Sequence, residues 1–342
     1  NRYEYAWCLF QNDEEPKAKE VMDVPAPEDI AHRCDYENIH TKLCQSTGDH
    51  EGCLRHAAIW REFVEKLPEG ETKEEKRRKN KLGDIATMEC VALYDLKRYD
   101  EALKKNDEAL AVEPEEYRIY HERFLILLAM QNYDEALTTC EKMVQIKPAA
   151  IAYHLLGIAH YYKGNMQESF DSFGRAIELD KDASSFVFRA RILVMYGEYD
   201  DAKEILDLLR ENNIETEGMK YCDSLILMEK EKKEDEAKVI WQEILDAAEK
   251  GECDCPFLWE VCNDMAVWML KHDADPNEIL AVIDRGLDAR GDYAPLLINK
   301  GYVLDEMLDK HEEGLACYRT VYEKYPRHAT VCGKMGSIYY YD

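Results

Sequence analysis

"LKRYDEAL" at 96–103 returns as "MQNYDEAL" at 130–137, 34 residues later, and more loosely as "YGEYDDAK" at 196–203. A turn written again at a fixed interval marks one supersecondary unit built repeatedly, because self-similarity at roughly 20–50 residues is the signature of stacked repeats. On both sides of the turn the apolar residues recur with helical spacing. In "AIAYHLLGIAHYYKGNMQESFDSFGRAIELDKD", 150–182, Tyr153, Leu156, Gly157 and Tyr161 share one helical face. After the Gly164-Asn165 break, Phe170, Phe173, Ala176 and Ile177 share a face of a second helix. The unit is a helix hairpin. Alone it cannot bury its apolar face, and stacking copies supplies the missing neighbour.

This pattern resembles the tetratricopeptide repeat family, whose motif places a large residue at position 4, Leu at 7, small residues at 8, 20 and 27, an aromatic at 24 and Pro at 32. Over 150–182 the matching residues are Tyr153, Leu156, Gly157, Ser169, Phe173 and Ala176. Over 83–116 they are Ala86, Cys90, Ala102, Ala109 and Pro114; over 117–149, Tyr120, Ala136 and Pro148; over 183–216, Phe186, Ala190 and Ala202. Small residues at positions 8 and 20 let paired helices approach closely, and Pro114 and Pro148 end second helices because the residue before Pro avoids the α region. The resemblance extends over 217–250 (Tyr221, Ala237, Trp241) and 294–326 (Leu297, Gly301, Tyr318, Pro326).

The organisation read along the chain is an N-terminal partial repeat over 1–26, a degenerate helix pair ending at Pro68 with a charged helix extension over 27–82, and a repeat array over 83–250. A divergent, longer pair follows over 251–293, with Trp259, Val261, Met265 and Trp268 in its first helix, then a repeat and a terminal helix over 294–342. In the terminal helix Cys332 falls at position 4 and Gly336 at position 8, and it closes on Tyr339, Tyr340 and Tyr341. The fold class is all-α, and the resemblance implies a right-handed superhelical solenoid of about seven antiparallel helix pairs.

At 342 residues the chain exceeds what one compact core supports, which favours an array. Its net charge of −27 repels phosphate backbones and anionic lipid and welcomes a basic partner. No apolar run reaches the roughly 18 residues that would span a bilayer, and no signal peptide opens the sequence. The chain opens at Asn1 rather than Met, which leaves room for a trimmed leader or domain. Twelve Cys without framework spacing suggest reduced, buried thiols and a cytoplasmic setting.

Catalytic signatures are missing: no Gly-rich phosphate loop with Lys-Ser or Lys-Thr, no G-x-S-x-G, and no His four residues after the His of the pairs at 50, 121 and 311. The reading is a protein without enzymatic activity. Zinc is the one cofactor the residues would admit. In "HTKLCQSTGDHEGCLRH", 40–56, His40 and Cys44 lie one helical turn apart, Cys53 and His56 nearly so on the next helix, and a hairpin could bring the four into a tetrahedron. His32, Cys34 and His50 are spare candidates; the competing reading packs these residues as a degraded repeat. Cys253, Cys255 and Cys262 form a second, sparser group. The basic run Lys73, Lys76, Arg77, Arg78, Lys79 and Lys81 is interleaved with Glu74 and Glu75 and lacks aromatics, so it reads as a solvated helix face and not as a nucleic-acid patch.

In the family, first helices of successive repeats line a concave groove. Carried over by position, the resemblance places Arg118, His121 and Glu122 beside His154, Ile158, Tyr161 and Tyr162, followed by Phe188, Arg191 and Met195. Aromatic, Met and Arg anchors amid polar groups compose protein-recognition surfaces. Relatives that clamp acidic chaperone C-termini carry Lys and Asn at positions 5 and 9; here those positions hold Thr87 and Val91, His121 and Leu125, and His154 and Ile158. The expected function is a protein-interaction scaffold binding a peptide or helix of a partner, with no nucleic acid and no membrane involved. The residues also admit a regulatory or targeting region of a larger protein, or a zinc-binding protein using the 40–56 cluster.

Overall fold

The computed structural model describes residues 2–12, 14–67 and 72–341, without the side chains of 72–77, 340 and 341. Pro68 and part of the charged extension therefore lie outside the described residues. Among the described residues there is no strand. Helices come in antiparallel pairs: α1 (Arg2–Gln11) with α2 (Glu15–Met22), α3 (Ile30–Ser46) with α4 (His50–Glu65), α5 (Thr72–Asp95) with α6 (Tyr99–Val112), α7 (Tyr117–Ala129) with α8 (Tyr133–Ile146), and α9 (Ala150–Lys163) with α10 (Met166–Leu179). The series continues with α11 (Ala183–Tyr196) and α12 (Tyr199–Glu211), α13 (Glu217–Glu229) and α14 (Glu234–Glu249), α15 (Leu258–Lys271) and α16 (Pro276–Ala289), then α17 (Ala294–Tyr302) and α18 (His311–Lys324). α19 (Ala329–Tyr341) packs on α18.

Among the described residues the pairs number nine against about seven expected, and α1 with α2 forms one of them inside the stretch read as a partial repeat. The structure divides into two compact units, Asn1–Leu179 and Asp180–Asp342, so the stretch 83–250 is shared between them. The charged extension does lengthen a first helix, since α5 runs from Thr72.

The repeated turn has one backbone cause. Gly48, Lys97, Gln131, Gly164, Gly197, Lys232, Asp273 and Asp309 each take positive φ where a first helix gives way to a second. The next residue then bonds back to the helix: Arg98 N to Leu93 O at 2.8 Å, Asn132 N to Leu127 O and Asn165 N to His160 O at 2.9 Å, which satisfies carbonyls the helix end would leave open.

The small positions do what close approach requires. Ala102, Ala136, Ser169, Ala202 and Ala237 are all fully buried. A Cβ on Gly157 would stand 2.8 Å from the Phe173 ring, and one on Gly301 2.5 Å from the Tyr318 ring, so each glycine is the seat of the aromatic on its partner helix. At the equivalent place in the α13–α14 pair, Ser224 accepts from the Trp241 indole at 2.8 Å. A π-helical turn at Val303–Met307 adds one residue between Gly301 and Tyr318 without breaking that contact.

Candidate functional site

Within each unit, first helices of neighbouring pairs touch one another: α3 with α5 and α5 with α7 in the first, α11 with α13 and α15 with α17 in the second. Their side chains therefore share a face over α3, α5 and α7 in the first unit, and over α11 with α13 and α15 with α17 in the second.

In the first unit a row of charge crosses this face. The Lys42 ammonium on α3 stands 3.8 Å over the Trp7 ring. Burial lowers the Lys42 pKa, opposed by Asp84 on α5, and Arg118 on α7 lowers it further. Asp84 is pushed up by burial, with Lys42 and Arg118 holding it down. Arg118 itself is 64% exposed, and its Nη1 lies 3.8 Å from Glu122 Oε1. Burial pushes Glu122 up to about 7, and its Oε2 is closed off without a hydrogen-bond partner. His121 is lowered by burial and so stays neutral near pH 7. On α9, His154 meets Phe173 edge-on at 5.5 Å, Ile158 is half-buried, and Tyr162 tilts against Tyr133 at 5.3 Å. Tyr161, at 2% exposed, is a core residue rather than a lining one.

In the second unit, Phe188 is likewise core, 3% exposed and edge-on to Phe257 at 4.9 Å. Arg191 is not free for a ligand, because its Nε donates to Glu260 Oε2 at 2.7 Å while its guanidinium lies 5.7 Å from the Tyr221 ring centre. The Tyr221 hydroxyl donates to Asp264 at 2.8 Å, and Asn299 donates to Asn263 at 3.1 Å, linking α13, α15 and α17. Burial pushes Asp264 up to about 6. Met195 is 46% exposed. Lys42, Asp84, Glu260 and Asp264 were missed in the sequence, although a carboxylate inside the otherwise apolar α15 run "LWEVCNDMAVWML" is the signal that would have found Glu260.

The zinc tetrahedron does not form. His56 Nδ1 lies 2.6 Å from Glu37 Oε2, and Glu37, 1% exposed, also accepts from Arg33 Nε at 2.6 Å. His40 stacks on His56 at 4.9 Å. Cys53 is buried with Sγ toward the Met88 carbonyl, and burial pushes its thiol up to about 12, while Cys44 is raised by burial and by Asp49. The spare candidates go elsewhere: His32 to Asp29, His50 to Asp95, and Cys34 into the core. Cys255 and Cys262 are also raised by burial. Among the described residues no three or more His, Cys, Asp or Glu are placed to hold a metal ion. All twelve cysteines are free thiols. No helix among the described residues is long and apolar enough to cross a membrane.

Residues 150–182 match the tetratricopeptide repeat family. Over 100 residues, 29% of this chain and 17% of the relative, the sequence is 29% identical to an Hsp70-Hsp90 organizing protein of Triticum aestivum. Over 92 residues it is 30% identical to the mitochondrial import receptor subunit TOM70 of Rattus norvegicus, covering 26% of this chain and 15% of that protein. The matched stretches thus make up less than a fifth of these relatives. A tetratricopeptide repeat protein from Parabacteroides merdae superposes with a TM-score of 0.53 at 16% identity, covering 71% of this chain and 90% of that one, a likeness of fold.

Proposed function

The chain is a tetratricopeptide repeat protein, and we propose that it is a protein-interaction scaffold whose first-helix faces hold a peptide or helix of a partner. The observation that carries this reading is the contact between successive first helices, α3, α5 and α7 in the first unit and α11 with α13 and α15 with α17 in the second. In the first unit α7 offers Arg118, His121 and Glu122, with the rest of the charge row beside them, and α9 offers Ile158 and Tyr162. Such a lining is pre-organised by stacking, which lowers the ordering cost of binding. Aromatic, imidazole and charged groups side by side suit these faces to recognition.

The likeness to Hsp70-Hsp90 organizing proteins does not bring with it a clamp for acidic C-termini. Thr87, at one of the clamp positions, is 4% exposed and donates to the Gly83 carbonyl.

The test is site-specific photocrosslinking in lysate of the source cells. A photoreactive residue in place of Tyr162 is expected to trap a discrete partner that Arg118→Glu abolishes. One in place of Val239, exposed on the second helix α14, is the control. Equal capture at both positions, or none at Tyr162, would overturn the reading.

A further inference from the structure

Arg118 and Glu122 stand one turn apart on α7 and are held in opposite ways, the guanidinium 64% exposed and the carboxyl 14%. Glu122 Oε1 lies 3.8 Å from Arg118 Nη1, longer than a hydrogen bond, and Oε2 is closed to solvent without a partner. An ionised carboxylate in that place would lose most of its hydration, with one loose contact to offset the loss. The arrangement fits the neutral carboxyl, and burial accordingly pushes Glu122 up to about 7.

The surroundings leave Arg118 as the cation that an ionised Glu122 can reach. On α7 itself Arg118 favours ionisation and Glu116 opposes it. From α5 the carboxyl faces the Cys90 thiol, which burial, then Glu122, push up to about 12, so that it stays neutral. Among the described residues no charged group of α6, α8 or α9 acts on Glu122. His121, its neighbour in sequence, is lowered by burial and adds no charge near pH 7. Arg123, the next cation along α7, is taken by Asp107 on α6. Asp84 on α5 and Lys42 on α3 act on Arg118 only from a distance.

We propose that Arg118 and Glu122 form a proton-controlled latch on this face. With Glu122 protonated, its carboxyl stays tucked in and Arg118 projects from α7. When that proton leaves to water, the carboxylate turns outward and accepts a charge-assisted hydrogen bond from the guanidinium, which draws the cation off the face. The i, i+4 spacing lets side-chain rotation alone close the pair, and the ionised acceptor makes the bond roughly twice as strong as a neutral one. The latch regulates partner binding, a role that rests on the recognition proposed for this face: the exposed cation of α7 is offered at lower pH and withdrawn at higher pH.

NMR of the full chain, with selectively labelled Glu and Arg, tests the latch without any partner: the Glu122 carboxyl carbon and the Arg118 Nε–Hε signal are followed between pH 5 and pH 9. Both are expected to move with one shared midpoint near neutrality. Glu122→Gln should erase the Arg118 transition, and Arg118→Met should raise the Glu122 midpoint. Titration of Glu122 in the ordinary carboxyl range, an Arg118 signal that ignores the Glu122 midpoint, or an Arg118 transition that survives in Glu122→Gln would each overturn the latch. Photocrosslinking from Tyr162 at pH 6 and pH 8 reads the regulation. Capture should be greater at pH 6 by about threefold or more, and equal at the two pH values in Glu122→Gln. Capture independent of pH beside an intact NMR transition would overturn the regulation, whereas an intact transition with no capture at either pH would overturn the recognition role of the face and not the latch.

Discussion

Arg191 on α11 and Glu260 on α15 are 69 residues apart in sequence, and the guanidinium Nε donates to the carboxylate at 2.7 Å across the intervening α13. Both side chains are largely buried, 12% and 8% exposed. The pair joins first helices two repeats apart, which neighbour-to-neighbour stacking does not do.

Removing one partner strands the other charge in a poorly solvated place. Arg191→Ala is expected to destabilise the second unit by about 3–5 kcal/mol, whereas Arg191→Met/Glu260→Leu, which removes both charges at similar volume, should cost much less. Urea titration followed by the fluorescence of Trp241 and Trp259 reads both. Equal losses in the two variants would show that packing rather than charge pairing holds α11 to α15.

Glu122 gives the stability a pH dependence of defined sign. Its carboxyl is raised from 4.5 to about 7 by burial, so in that interval the folded chain binds more protons than the unfolded chain. Stability therefore falls as pH rises from about 4.5 to 7. Asp264, raised from 3.8 to about 6, adds a slope of the same sign lower in the range. Glu122→Gln should raise stability at pH 8 by about 1–3 kcal/mol and flatten the upper part of the profile. Thermal midpoints between pH 5 and 8 check this.

The left-handed turn residues differ in chemistry but not in backbone. Lys97 and Gln131 hold φ of 59°, a conformation that costs a side chain with a Cβ about 1 kcal/mol. Lys97→Gly and Gln131→Gly should each stabilise by about 0.5–1 kcal/mol, and Gly164→Ala should destabilise by a similar amount. Denaturant midpoints of the three variants decide it.

Gly157 and Gly336 occupy the same position in the motif but have different surroundings. A Cβ at 157 meets the Phe173 ring, while one at 336 meets nothing within 4 Å. Gly157→Ala should cost about 1–3 kcal/mol, relieved in part by Phe173→Leu. Gly336→Ala should be neutral or stabilising by up to about 1 kcal/mol, since it improves helix propensity on an open face. Calorimetric scans of the single and double variants provide the comparison.

Of the recognition residues read from the sequence, Arg118 and Met195 are exposed and His121, Ile158 and Tyr162 are half-buried, whereas Tyr161 and Phe188 are packed inside. Position in a repeat tells which face of a helix a residue occupies. It does not tell whether the next helix covers that face, and for Phe188 the cover is Phe257, far along the chain.

The sequence by itself determined the helix hairpin, its period, and the helix ends before Pro114 and Pro148. Each of these follows from residues within one repeat, through i, i+3 and i+4 neighbours and the backbone limits of Pro and Gly. Only the tertiary structure decided the union of Arg191 with Glu260, the division after Leu179, and the π-helical turn that keeps Tyr318 on Gly301 despite an added residue. The first two depend on how separate hairpins meet, of which periodicity within a hairpin carries no record, and the third is a backbone adjustment inside one hairpin that the periodicity does not mark.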